Sequence, residues 1–241
     1  PELILCAWRN AAASADPALV GRARVEEIRR LIALGRLAQA EALAAGTQAD
    51  SSTLPLYKNL AEIERWRARV ALVDRDTADA AAQKAAREQA LEALAPRTLD
   101  PDMAGAEAKL LAAQWLLDLE RLERAVQLTD GLLRDFAGRP EILTRALLLR
   151  ARLQERFGEG EAMTASWARI LREFPERRSE ALEAARRMAD RTLASGASPE
   201  ENRRRLREFI AAAATPPLAR AMAQNRVGDL FAAEDRLAEA L

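Results

Sequence analysis

The sequence Leu-Arg-Asp-Phe at 133–136 recurs as Leu-Arg-Glu-Phe at 171–174 and again at 206–209, and this repeat decides how the rest of the chain is interpreted. A proline follows each copy, at Pro140, at Pro175 and in the pair Pro216-Pro217. Proline is tolerated in the first turn of a helix but not in its interior. Each copy is therefore expected to end one helix, and the next helix to begin at or just after the proline. Such a period is typical of stacked helical hairpins.

Prolines at positions 17, 55 and 101 mark further helix starts and divide the remaining sequence in the same way. Between these prolines we predict pairs of helices joined by tight turns, with Gly35 and the Asp74-Arg75-Asp76 segment at two of the turns. The predicted helices span 17–34 and 36–46, 55–73 and 76–95, 101–118 and 121–136, 140–156 and 159–173, 176–194 and 198–214, and 217–232. The corresponding repeats are 17–50, 51–99, 100–138, 139–175 and 176–215, with 1–16 as the second helix of a truncated repeat and 216–241 as an incomplete repeat.

Composition supports a helical fold throughout. Apolar residues make up 49% of the chain and charged residues 31%, whereas aromatic residues are only 4%. An apolar set dominated by alanine and leucine favours close packing of helices over sheets. The expected fold is all-α: a right-handed superhelix, or solenoid, of about five and a half helical hairpins. Because such an array is continuous, we expect one domain over 1–241.

Three segments resemble the tetratricopeptide repeat (TPR) family, whose motif has a small and a large apolar residue in the first helix and an alanine early in the second. The best match is Val227-Gly228-x-x-Phe231 followed by Asp235-x-Leu237-x-x-Ala240-Leu241. Partial matches run from Leu34-Gly35 to Ala40 and from Ala113 to Ala125. The second hairpin departs from the pattern, with long helices and no glycine at its turn. The motif is a packing code, so the resemblance implies a fold and carries no chemistry.

In the TPR family, the first helices of successive repeats line a concave groove that holds a peptide or helix of a partner protein. The resemblance therefore implies that one face of each first helix contributes to a partner-binding groove. The candidate residues are Arg22, Arg29, Glu107, Gln114, Thr144, Arg186, Asn225 and Asp229. This set is polar and contains both charge signs, unlike the basic clamp that some members use for acidic peptides, and it leaves the partner unidentified.

The residue inventory argues against catalysis, metal binding, nucleic-acid binding and membrane insertion. Histidine is absent, and the single cysteine, Cys6, lies in an apolar run where a buried inert thiol is expected. We expect no catalytic residues, no cofactor and no metal. The formal net charge is zero, which disfavours nucleic acid as a partner, and no apolar run approaches the roughly 20 residues that span a bilayer.

Two further patterns are interpreted mainly as structural. Arginine clusters occur at 177–178, 186–187 and 203–207, and acidic residues are interspersed among them. This pattern indicates a surface of salt bridges, and the alternative is a basic patch that binds a partner. Trp8, Trp66, Trp115 and Trp167 are spread one to a region, and we expect them to fill gaps in alanine-rich layers.

The sequence predicts a non-catalytic scaffold for protein–protein interaction within a larger bacterial protein or assembly. Only three of the basic residues are lysines, an arginine bias typical of GC-rich bacterial genomes. The chain opens at Pro1, so we expect a processed or excised piece, whose end half-repeats are capped by flanking sequence, a second copy or a partner. Three settings stay open: the superhelix region of a cell-wall-degrading enzyme, the sensor region of a transcriptional regulator, and a subunit of an exopolysaccharide-export or secretion complex, in periplasm or cytoplasm.

Overall fold

The computed structural model describes residues 11–12, 14–193 and 196–234, and it is 79% helical. Across these ranges it contains eleven long α-helices, one short 3₁₀ helix at Arg97–Leu99 and no β-strand. The helices are α1 Pro17–Ala33, α2 Leu37–Ala49, α3 Pro55–Asp76, α4 Ala80–Leu94, α5 Met103–Asp118, α6 Leu122–Asp135, α7 Pro140–Arg156, α8 Gly160–Glu173, α9 Arg178–Arg191, α10 Pro199–Ala211 and α11 Pro217–Ala232. The all-α prediction is confirmed. Of the predicted half-repeats at the two ends, 1–16 falls largely outside the described residues, whereas the helix predicted at 217–232 is present as α11.

Local chemistry explains most helix boundaries. Proline occupies the first turn of α1, α3, α7, α10 and α11, where its missing N–H costs no intrahelical bond. The side chains of Asp16, Asp79, Asp102 and Ser198 accept a hydrogen bond from a backbone N–H of the first turn of α1, α4, α5 and α10, respectively. Gly35 ends the first helix of its hairpin with a φ of +72°, a conformation that costs glycine little.

The turn of the second hairpin lies later than predicted. The segment 74–76 was expected to form the turn, but α3 continues through Asp76. The chain leaves the helix at Thr77, which is extended (φ −138°, ψ 140°), and α4 begins after the capping residue Asp79. Asp79 supplies the stronger local signal, because its carboxylate satisfies the orphan N–H of Ala81 at 2.9 Å.

The contacts of the chain divide it into two compact units, Pro1–Leu128 and Thr129–Leu241, each with its own core. In the N-terminal unit, Ile63 of α3 and Leu94 of α4 pack with Leu111 and Trp115 of α5. A neighbouring cluster joins α1, α2 and α3, and it contains the fully buried Ala40. Alanine at such positions allows two helix axes to approach to the short end of the ~8–10 Å range.

The core of the C-terminal unit is formed by α7, α8, α9 and α11. Leu147 of α7, Trp167 of α8, Met188 of α9 and Ala219 of α11 belong to one buried cluster. Six apolar residues on two neighbouring stripes of α7 are buried: Leu143, Ala146, Leu147, Leu149, Ala151 and Leu153. This helix is thus packed on two sides, as expected for a helix within stacked hairpins. A single continuous array over both units stays a prediction.

Gly105, in the first turn of α5, is held against the preceding loop. A Cβ at this position would lie 1.9 Å from the carbonyl oxygen of Asp100, which is backbone and cannot rotate away. The Gly105→Ala variant is therefore expected to lower the free energy of unfolding by about 1 to 3 kcal/mol, the usual cost of overpacking, as measured by urea denaturation. The matched control is Gly46→Ala on the exposed side of α2, where no atom lies within 4 Å. The free energy of unfolding of this control is expected to rise by about 0.5 to 1 kcal/mol, because alanine has a higher helix propensity than glycine. A rise for Gly105→Ala as well would contradict the close approach.

Within the described ranges, no helix combines the length and the apolar character that crossing a bilayer requires.

Candidate interaction surface

A groove of about 690 Å³ runs over α9 in the C-terminal unit, with walls from α7 and α11. These are first helices of predicted repeats. Its apolar surface comes from one residue of each helix: Leu148 of α7, Leu182 of α9 and Met222 of α11. Polar groups surround them, namely Arg145, Ser179, Glu180, Glu183 and Arg186. The groove therefore combines an apolar strip with a charged rim, as ligand and peptide sites commonly do.

A line of ion pairs continues from the rim of this groove across α9 to α11. Arg186 Nη2 lies 2.8 Å from Glu183, and Arg186 Nη1 lies 3.3 Å from Asp190. Asp190 also accepts a hydrogen bond from Arg226 Nε at 2.7 Å, and Arg226 Nη1 lies 3.0 Å from Asp229. Two predicted groove residues, Arg186 and Asp229, thus belong to one network that joins two first helices.

The pKa values along this line favour the charged forms. Burial alone would raise the pKa of Glu183, but hydrogen bonds from Arg187 and Arg186 outweigh it and hold that pKa below its usual value. Hydrogen bonds to Asp190 and Asp229 raise the pKa of Arg226. The carboxylate of Glu183 and the guanidinium of Arg226 are therefore ionised at neutral pH.

The N-terminal unit contains a second, more deeply buried charge network on its own first helices. Glu64 of α3 has no exposed surface. Its carboxylate accepts hydrogen bonds from Arg29 Nε of α1 at 2.7 Å and from Arg67 Nη1 at 2.8 Å. The two guanidinium groups also lie 3.3 and 3.9 Å from the buried carboxylate of Glu107 on α5, and Arg29 lies 3.0 Å from Glu26. One network therefore connects α1, α3 and α5.

Burial alone would lower the pKa of Arg29, but attraction to Glu64 and Glu107 outweighs it and raises that pKa above its usual value. Arg29 and Glu107 were both predicted as groove residues. The structure brings them together, and their charged groups form ion pairs with each other and with other residues of the same chain. Their role in this arrangement is to hold three helices in register.

The remaining predicted residues differ in their accessibility. Arg22 and Asn225 are exposed, whereas Gln114 is half-buried and donates a hydrogen bond from Nε2 to Asp118 Oδ1 at 2.9 Å. Thr144 is 0% exposed, and its hydroxyl donates to the carbonyl oxygen of Pro140 at 2.8 Å. A partner on the surface cannot reach Thr144, because its short side chain faces the core.

The arginine clusters are largely neutralised by neighbouring carboxylates. Arg204 pairs with Glu201 at 2.8 Å and with Glu208 at 2.9 Å, and Arg205 pairs with the same Glu201 at 2.9 Å. Hydrogen bonds from Arg204 and Arg205 lower the pKa of Glu201 to about 2. Arg203 is buried between Glu234, at 2.6 Å, and the ring of Phe231, with its guanidinium carbon 4.6 Å from the ring centroid. This pairing agrees with the salt-bridge interpretation of the sequence.

Trp115 and Trp167 are buried in the cores of their units, as space-filling residues would be. Trp66 is only partly buried, and the guanidinium of Arg69 lies 5.1 Å from its ring centroid. Trp8, like Cys6, lies outside the described residues.

Several residues of the two networks and the groove were not predicted as site residues. Leu182, Glu183 and Asp190 lie four residues before, three before and four after Arg186 on α9. Helical spacing from Arg186 would have placed them on the same face. Glu64 had no comparable signal, because a glutamate inside a long helix is usually solvent-exposed.

Among the residues that the structure describes, no group of three or more acidic or cysteine side chains is arranged to hold a metal ion. Comparison of the chain with protein-family models, curated proteins and solved structures found no match in any of the three. The resemblance to TPR repeats thus rests on the motif residues of the chain itself.

Proposed function

We propose that this chain is a non-catalytic interaction scaffold that holds a segment of another protein on its first helices. In this proposal its hairpins form a right-handed superhelix of the TPR type within a larger bacterial protein or assembly. One observation carries the proposal: three first helices of the C-terminal unit, α7, α9 and α11, line one open groove with an apolar strip.

The packing of the C-terminal unit supports a stable presentation of this surface. Buried residues of α7, α9 and α11 lie in one cluster with Trp167, against which Leu148 and Met222 of the groove also pack, and the Asp190–Arg226 ion pair ties α9 to α11. A surface fixed in this way loses little conformational entropy when a partner binds. Rigid presentation of a curved surface is the mechanism that we assign to the protein.

The test is affinity capture from the source organism with three immobilised baits: wild type, a groove double variant and a matched control. The groove variant is Arg186→Glu, at the rim of the groove, with Asn225→Ala, an exposed residue of α11 three positions after the groove residue Met222. The control is Arg204→Glu with Asn202→Ala on α10, because Arg204 pairs with carboxylates three residues before and four after it, as Arg186 does. We expect wild type and control to retain the same proteins, and the groove variant to retain at least tenfold less of them. Equal recovery from all three baits would dismiss the groove.

A further inference from the structure

We propose that two copies of this chain associate through their N-terminal units, with Leu99 of each copy entering an apolar cleft on the other. The cleft lies between α4, α5 and α6, and Thr98, the residue before Leu99, is part of its wall. This association goes beyond the proposed function and does not depend on the groove of the C-terminal unit. It follows from the exposure of Leu99, from the contacts that hold its loop and from the charges that line the cleft.

Leu99 is the most exposed large apolar residue in the part of the chain that the structure describes. It is 83% exposed, whereas the next, Phe157, is 49% exposed. Leucine is normally among the most buried residue types. A single exposed leucine is ordinary on a protein surface, but this one lies on a fixed loop at the edge of an apolar cleft.

The loop that carries Leu99 is held from both sides. Before it, Arg97 Nε lies 2.9 Å from the carboxylate of Glu62 on α3. After it, the backbone of Asp100 packs so closely on Gly105 that a Cβ there would lie 1.9 Å from the carbonyl oxygen. The Leu99 side chain is therefore presented to solvent by an ordered backbone, which loses little conformational entropy when a partner binds.

The cleft beside Leu99 has a volume of about 330 Å³. Ala112 and Leu116 of α5, both nearly fully buried, form its floor, and Leu91 of α4 and Leu128 of α6 flank it. An apolar side chain that enters the cleft is removed from water together with these residues, which favours association. Because Leu99 and the cleft are neighbours on one surface, a two-fold axis between two copies can bring each Leu99 to the other copy's cleft.

The charges that line the cleft identify a second copy as the partner. Glu88 of α4 pairs with Arg121 of α6. Glu92 and Arg124, about one turn further along the same two helices, also line the cleft and are exposed. Neither side chain has a hydrogen-bond or ion-pair partner among the described residues.

A second copy supplies a base for Glu92 and an acid for Arg124, so a two-fold dimer gains two ion pairs between the copies. A partner of a single charge sign would be repelled by one of the two groups, and such mismatches suppress wrong partners. One leucine and two charges from each copy form a small contact compared with stable interfaces. The dimer is therefore weak, and it forms at high protein concentration.

Sedimentation equilibrium of the full chain, from about 10 μM to about 1 mM, tests this association. The variants are Leu99→Glu, Glu92→Arg, Arg124→Glu and the double charge reversal Glu92→Arg/Arg124→Glu. The matched control is Leu182→Glu, because Leu182 is also an exposed leucine, at 45%, but belongs to the C-terminal unit. All changes are at exposed positions, and circular dichroism confirms that each variant is folded.

We expect the average mass of the wild type to rise with concentration towards twice the mass of one chain and not beyond it. Leu99→Glu should raise the dissociation constant of the dimer at least about tenfold, because it places a carboxylate against the apolar cleft of the other copy. Each single charge reversal should raise the constant about three- to tenfold. The double reversal should restore the wild-type value, and Leu182→Glu should leave it unchanged.

A wild type that stays monomeric throughout, or that grows into larger oligomers, would overturn the two-fold dimer. Dimerisation that Leu99→Glu leaves intact or that Leu182→Glu abolishes would overturn it as well, and so would a double reversal that binds no better than the single ones. None of these outcomes affects the proposed scaffold function, which depends on the groove over α9.

Discussion

The free energy of unfolding of the Glu64→Ala variant is expected to be about 3 kcal/mol lower than that of the wild type. Urea denaturation of the full chain measures this difference. Glu64 is fully buried and accepts hydrogen bonds from Arg29 and Arg67. Its removal leaves two half-buried guanidinium groups without the acceptor that they share, so that Glu26 and Glu107 compensate their charges only in part. Removing one partner of a buried ion pair is strongly destabilising. Partial exposure of both arginines keeps the loss below the upper end of the range for fully buried pairs.

The control for this variant is Asp76→Ala at the end of the same helix. Asp76 pairs with Arg75 at 2.7 Å, but both side chains are more than half exposed. Exposed pairs contribute about 0 to 1 kcal/mol, so little change is expected. The double variant Arg29→Ala/Glu64→Ala should cost less than the sum of the two single changes, because the two residues belong to one network. Equal, small effects of Glu64→Ala and Asp76→Ala would show that the network does not stabilise the N-terminal unit.

The Trp167→Ala variant is expected to have a free energy of unfolding about 3 to 5 kcal/mol lower than that of the wild type, the range for truncating a large buried aromatic residue. Trp167 is 5% exposed and packs with residues of α7, α9 and α11. Its removal leaves a cavity that the surrounding helices fill only in part. Urea denaturation followed by circular dichroism measures the change.

Phe157→Ala serves as the comparison for Trp167→Ala, because Phe157 belongs to the same unit and is 49% exposed. This change should cost less than about 1 kcal/mol, as is usual for exposed positions away from the core. Since the Trp167 cluster supports the helices that line the groove, Trp167→Ala is also expected to weaken binding of any groove ligand. A Trp167→Ala chain as stable as Phe157→Ala would mean that α8 does not pack as the structure has it.

Helix positions were predictable because their signals are local. Proline in the first turn of α7 and glycine at the turn after α1 affect only the backbone of neighbouring residues. Both predicted boundaries agree with the structure to within one residue. The turn predicted at 74–76 was wrong by a few residues. Charged residues there gave no strong stop signal, and the capping carboxylate of Asp79 determined where α4 begins.

The candidate site was predictable only in part. Arg186 and Asp229 were chosen as polar residues on first helices, and the structure joins them through Asp190 and Arg226. Thr144 was chosen on the same grounds but is buried. Helical periodicity assigns a residue to a face, but it does not tell which face a neighbouring helix will cover.

By itself, the sequence determined that the described chain is all-α and where most of its helices begin, because capping, proline and helix propensity are properties of neighbouring residues. Tertiary structure alone decided that Glu64 is buried between two arginines and that Leu182 stays exposed at the centre of a groove. Both outcomes depend on residues some 35 positions away on other helices. No pattern within one helix contains that information, because burial is set by the helices that pack on either side.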